Sequence, residues 1–149
     1  MQWTPHVTVA AIIEKNQQFL MVSEKNRKGE IVVNQPAGHL EDNESLVDAI
    51  IREMLEETAY DFVPEGLVGC YQWKFMERDT TYLRFLFHGT LGEHHPELEL
   101  DEGIVSADWF SLEQLQGADN LRSYLVMAGI DDYLAGKRYP VEFISSLTN

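Results

Sequence analysis

The chain has 149 residues, 44% hydrophobic and 24% charged, the make-up of a single soluble globular domain over residues 1–149 with a real core. Its formal charge of -14 argues strongly against non-specific binding of DNA or RNA, which runs on neutralising phosphates with lysine and arginine. The longest apolar run, Val9 to Ile13, is far too short to span a bilayer, and Met1 to His6 lacks the basic start of a secretion signal. A lone Cys70 cannot form an internal disulfide, which fits a reducing cytoplasm, and its place on an expected strand makes it a core residue.

In chain order, His6 to Glu14 and Gln18 to Glu24 are rich in Val, Ile, Leu and Phe and read as two strands joined by a turn at Lys15–Gln17. Asn26 to Glu30 is a charged loop, Ile31 to Asn34 a short strand, and Gln35-Pro36-Ala37-Gly38 turns the chain towards a helix. In that helix Leu46, Val47, Ile50, Ile51, Met54 and Leu55 recur at three- and four-residue spacing, giving a broad apolar face with Asn43 as N-cap and Glu44 in the first turn. Leu67 to Phe75 and Thr81 to Leu91 form a hairpin around Glu77–Thr80. On its second strand Leu83, Phe85 and Phe87 share one face, and Tyr82, Arg84, Leu86 and His88 the other. Gly92 to Glu102 is a long acidic loop, Val105 to Phe110 a last strand, and Ser111 caps a helix through Leu115. A final helix covers Ser123 to Leu134. No linker divides the chain, and an α/β sandwich, a mixed sheet with helices on both faces, is the natural closure.

The densest constellation lies between residues 38 and 57: Gly38, five residues, Glu44, seven residues, Arg52-Glu53, two residues, Glu56-Glu57. Carboxylates at i, i+3 and i+4 project from neighbouring azimuths of a helix, here along one border of the apolar face. They repel one another unless a cation sits among them, and an all-oxygen acidic set suits Mg2+ or Mn2+. The bland alternative is an ordinary amphipathic helix with solvated acids and an Arg52–Glu56 ion pair; with Gly38, Glu44 and Arg52 also in register it loses most of its weight.

This series is the box of the Nudix hydrolases, and the chain resembles that family. Pro5-His6-Val7-Thr8-Val9-Ala10, Asn34-Gln35-Pro36-Ala37-Gly38-His39-Leu40-Glu41, Arg84-Phe85-Leu86-Phe87, Asn120-Leu121-Arg122-Ser123 and Arg138-Tyr139-Pro140 are similar to its phosphatase NudJ branch. The resemblance implies the Nudix fold, an α/β/α sandwich, and Mg2+-dependent hydrolysis of phosphoanhydrides in nucleoside di- and triphosphates and thiamine-type pyrimidine pyrophosphates, releasing phosphate. It implies that Glu53 and Glu57 are the principal metal ligands, that Glu56 is a ligand or base, and that the carbonyl of Gly38 or Ala37 completes the shell. Arg52 would pair with Glu44 to pin the loop against the helix. One position departs from the pattern: where the family usually has glycine, two residues after the Glu-Glu pair, stands Ala59. A left-handed Ala there would cost on the order of 1 kcal/mol, or the helix ends differently.

Other residues carry weaker signals. Asn34 is a candidate reader of the substrate's organic part and equally a turn residue. Arg84 is a candidate phosphate contact or an ion-pair partner. Trp73 and Tyr82 are candidate stacking partners for a pyrimidine ring, or core aromatics. Arg122 could cap a helix start or reach the cleft. Glu99, Asp101 and Glu102 sit on a loop that could fold over the site, though such acids are usually solvated, and His94-His95 reads as plain loop. The expected partner is a small phosphorylated substrate, with no nucleic acid and no membrane, for a monomer or homodimer in the cytoplasm. A nucleotide-sugar or dinucleoside-polyphosphate pyrophosphatase, and a catalytically weak nucleotide-binding Nudix module, remain as alternatives.

Overall fold

In the computed structural model, which describes residues 2–148, two β-sheets share one core, with a helix packed on each side of it. The first sheet is mixed. Strand β1 (His6–Ile12) lies between β5 (Ala37–His39), antiparallel, and β7 (Thr80–His94), parallel, and β6 (Tyr60–Phe75) forms the outer edge beyond β7. The second sheet is antiparallel. Its central strand β3 (Gln18–Lys25) pairs with β2 (Glu14–Lys15) and β4 (Ile31–Asn34) along one edge and with β8 (Ile104–Ser111) along the other. Helix α1 (Leu46–Thr58) follows β5; α2 (Leu112–Gly117) and α3 (Tyr124–Leu134) close the chain. Among the described residues no helix is long and apolar enough to cross a membrane.

Strand alternation divides the core in two. Val9, Ala11, Leu20 and Phe87 point to one side and pack on Ala49, Ile50 and Met54 of α1. Ala10, Ile12, Phe19, Met21 and Leu86 point to the other and pack on Val126 and Ile130 of α3. The expected layering, a mixed α/β sandwich, is what forms, and the two faces expected for β7 are the two faces observed.

Several boundaries differ from those expected, each for a physical reason. Asn43 does not cap α1. It sits at φ 64°, and Ser45 is the N-cap, its Oγ accepting from Asp48 N at 3.0 Å. Glu44 therefore stands outside the helix. The expected turn at residues 35–38 includes a strand, β5, because Ala37, Gly38 and His39 find ladder partners on β1. The β6–β7 hairpin begins at Tyr60 and returns to His94, so the acidic loop is shorter than expected. Its early half contains Pro64, which an edge strand tolerates. Cys70 is exposed rather than in the core, since it lies on that outer edge strand past a register shift between Leu67 and Gly69.

Helix α1 ends at Ala59 in the left-handed conformation, φ 61° and ψ 23°, with its N–H bonded to Leu55 O. The strain, about 1–2 kcal/mol, is offset by burial of the Ala59 methyl group, worth roughly 0.8 kcal/mol, and by the lower chain entropy that Ala brings to the unfolded state. Because these effects nearly cancel, Ala59→Gly should change unfolding free energy by less than about 1 kcal/mol. Urea unfolding checks this, and a loss of several kcal/mol would show that the methyl group matters far more than its burial predicts.

Candidate active site

Arg52 organises the acidic helix. Its Nε donates to Glu44 Oε2 at 2.9 Å and its Nη2 to Glu44 Oε1 at 2.7 Å, the paired geometry in which a guanidinium holds a carboxylate best. Nη2 also donates to His39 O at 3.1 Å, and Nη1 reaches Glu53 Oε1 at 2.8 Å and Glu56 Oε2 at 3.3 Å. Glu44 in turn accepts from Glu41 N at 2.8 Å. One side chain thus ties the loop after β5 to two acids of α1. The Arg52 contact holds Glu44 below the usual carboxylate range.

Gly38 shows why the box needs glycine. A Cβ placed there would stand 2.1 Å from Glu53 Cδ, so only a bare backbone lets the Glu53 carboxylate rest against β5. Glu57, one turn on, turns its Oε1 to Ala37 N at 2.9 Å. Glu53 and Glu57 are both buried. Burial pushes Glu53 up to about 7, partly countered by Arg52, and pushes Glu57 up to about 9. Burial also raises Glu56, helped by the neighbouring Asp101.

Among the described residues, carboxylate oxygens of Glu53, Glu56 and Asp101 come within 4.8 Å of one another. Asp101 arrives because its backbone N donates to Glu56 O at 2.9 Å, folding the acidic loop back over the helix. The loop gave no signal in the sequence that separated Asp101 from Glu99 and Glu102. The site residues therefore fall in two adjoining places: Glu53, Glu56 and Asp101 converge, while Glu57 faces the backbone before Gly38. Buried Glu53 and Glu57, which hold protons without a cation, together with half-buried Glu56 and exposed Asp101 make an all-oxygen set that fits a hard divalent ion.

Of the weaker candidates Arg84, Trp73 and Tyr82 lie on the opposite face of the first sheet, and Asn34 reaches Arg84 from β4 of the second. Across the strands run two rows: His39, Thr8, Arg84 and Tyr71, then His6, Tyr82 and Trp73. Arg84 is buried and bonded to Asn34 and Gln35, so it is not the half-exposed ion-pair partner its strand position suggests. Asn34 ends β4 and is buried rather than in a turn. Trp73 and Tyr82 stack at 5.7 Å, and His6 lies 5.5 Å from Tyr82. Trp73 also lines a groove of about 430 Å³ whose other wall includes Arg122, Tyr124 and Met127. Arg122 pairs with Glu24 at 3.4 Å.

An acidic helix locked by one arginine to the loop before it, at the edge of a mixed sheet, defines a class of phosphoanhydride hydrolases that generally use a divalent metal. The NUDIX domain model matches residues 4–128, and the chain belongs to the Nudix family. It is 42% identical over 140 residues to Phosphatase NudJ of Escherichia coli strain K12, covering 94% of this chain and 90% of that one. A NUDIX hydrolase from Nitrosomonas europaea superposes with a TM-score of 0.95 at 47% identity, covering 97% and 98% of the two chains. A UDP-X diphosphatase, at 21% identity and TM-score 0.75 over 94% of this chain and 68% of its own, shares the fold.

Two outcomes follow from this geometry. Without metal, the folded chain keeps protons on Glu53 and Glu57 that the unfolded chain loses above about pH 4.5, so stability should fall as pH rises through about 7 and on to 9. Thermal unfolding with chelator should show this decline, and Glu57→Gln should flatten its upper part. A Tm that is level or rising across that interval, with no change in slope in the variant, contradicts the buried-carboxylate account. Separately, Arg52→Ala strands Glu44 and Glu53 and should cost about 2 kcal/mol in urea unfolding; an unchanged midpoint would mean the loop is held by other contacts.

Proposed function

We propose that the chain is a Mg2+- or Mn2+-dependent Nudix hydrolase that cleaves phosphoanhydride bonds of compact organic di- and triphosphates and releases phosphate. Nucleoside di- and triphosphates and thiamine-type pyrimidine pyrophosphates are the substrate class. The observation that carries this reading is the meeting of buried Glu53 and Glu57 with the β5 backbone at Gly38, on an edge whose other face presents Arg84 and an aromatic row. The 42% identity to a phosphatase across nearly the whole chain supports phosphate as the small product.

In this reading Glu53, Glu56 and Glu57 hold the metal, with backbone oxygen from Gly38 or Ala37 and with Asp101 close by. The ion offsets phosphate charge and lowers the pKa of water. Glu44 and Arg52 keep the helix and the β5 loop in register. Glu56, whose hold on a proton burial and the neighbouring Asp101 strengthen, is the base that takes a proton from the attacking water in this reading. That water's oxygen bonds to phosphorus as the bridging P–O bond breaks, and the leaving phosphate carries away the bond's electron pair. In this reading Trp73, on the wall of the groove, and its neighbours Tyr82, Arg84 and Asn34 take the rest of the substrate. Positioning and electrostatics carry most of the catalysis in such reactions.

Chelation should abolish turnover and added Mg2+ or Mn2+ restore it. Glu57→Gln should lower kcat roughly a hundredfold or more, with little change in stability at neutral pH because the carboxyl is already protonated without metal. Turnover that survives exhaustive chelation would refute the mechanism. In a substrate screen, nucleoside and thiamine-type phosphates should lead, and ADP-ribose, diadenosine polyphosphates and triphosphorylated RNA should trail. ADP-ribose or RNA turned over tens of times faster than all of those would overturn the substrate class and leave the chemistry standing.

A further inference from the structure

Among the described residues Arg84 is the one buried lysine or arginine, 6% exposed, and it takes part in none of their ion pairs. Buried guanidinium groups are ordinarily matched by a carboxylate, because an uncompensated charge in the interior is costly. Here the matching groups are neutral amides. Arg84 Nη2 donates to Gln35 Oε1 at 2.6 Å and to Asn34 Oδ1 at 3.4 Å.

Arginine only donates, so both amides must turn their oxygens towards it. Gln35 has no exposed surface and is fixed at its far end as well, where Nε2 donates to Val126 O at 3.0 Å on α3. Two acids are near enough to feel Arg84, and both are otherwise engaged. Glu24 pairs with Arg122 at 3.4 Å, and Glu57 accepts from Ala37 N at 2.9 Å. Both known bonds of Arg84 use Nη2. No buried side-chain nitrogen or oxygen among the described residues lacks a partner, so Nε and Nη1 keep the residue's remaining accessible surface. They belong to the row that runs from His39 to Tyr71 on the cleft face.

We propose that Arg84 is the anion receptor of the cleft, taking a phosphoryl group of the substrate, and that Gln35 is its positioning residue, holding the guanidinium in place without neutralising it. The proposal rests on the hydrolase reading above for the identity of the anion. A glutamate at position 35 would close an ion pair of the same shape, at the loss of the bond that Gln35 Nε2 gives to Val126 O. It would also spend inside the protein the charge that a substrate phosphate needs. Glutamine keeps the geometry and leaves the charge available.

Gln35→Glu separates the two roles. It should fold with a Tm close to that of the unsubstituted protein, the new ion pair with Arg84 offsetting the lost bond to Val126 O. Its Kd for α,β-methylene uridine diphosphate, measured by calorimetry with Mg2+, should rise at least tenfold, and KM should rise without a matching fall in kcat. Arg84→Met, which removes the cation, should weaken the same probe at least as much. A folded Gln35→Glu whose affinity falls less than tenfold overturns the proposal. If that variant does not fold, an Arg84→Met with less than a tenfold loss overturns it, and failure of both to fold would make Arg84 a structural cation and overturn it too. Absence of hydrolysis by the unsubstituted protein would sink the hydrolase reading instead, and probe binding would still report on Arg84.

Discussion

The guanidinium of Arg52 is the joint on which the acidic edge depends. It gathers Glu44 from the loop, the His39 carbonyl from β5, and Glu53 and Glu56 from α1. Without it, four oxygen-rich groups from three elements would repel one another across a short distance. Its reach also explains the start of the helix. Asn43 has the right chemistry for a cap, yet Glu44 is pulled sideways to meet Arg52, and the helix begins after Ser45 instead. A tertiary ion pair here outweighs a local capping preference.

The two buried carboxylates of α1 are the ones least comfortable as anions. Glu53 and Glu57 are buried against β5, where ionisation is disfavoured until a cation arrives. That gives the metal-free chain a fold it can hold with neutral acids and gives a divalent ion a reason to bind. Arg84 is the counterpart on the other face, a buried cation surrounded by amides. The two sites accept strain of opposite sign, the acids calling for a cation and Arg84 for an anion.

What the sequence revealed and what it hid divide along contact range. The acidic helix, the layering and the alternation on β7 follow from local spacing, so they could be read directly. The β5 strand could not, because its three residues show no strand pattern and exist as a strand only through β1. The early half of β6 was masked by Asp61, Pro64 and Gly66, residues that an edge strand admits and a central one does not. Asp101 and Gln35 were hidden more deeply. Asp101 looked like its solvated neighbours until a backbone bond to Glu56 placed it, and Gln35 meets Arg84 across 49 residues of chain.

The shortest strand has the widest consequence. Along β5, Gly38 looks to the helix while Ala37 and His39 look to the other face, so the tightly fitted acids and the rows through Arg84 and Tyr82 occupy opposite sides of one ribbon. Trp73 and Tyr82 stack on one another and Arg122 pairs with Glu24, away from Arg52 and Glu53. Under the proposed function, the organic group can be exchanged by small steps on one side while the acids on the other side stay as they are. The fold separates what must be kept from what is free to vary.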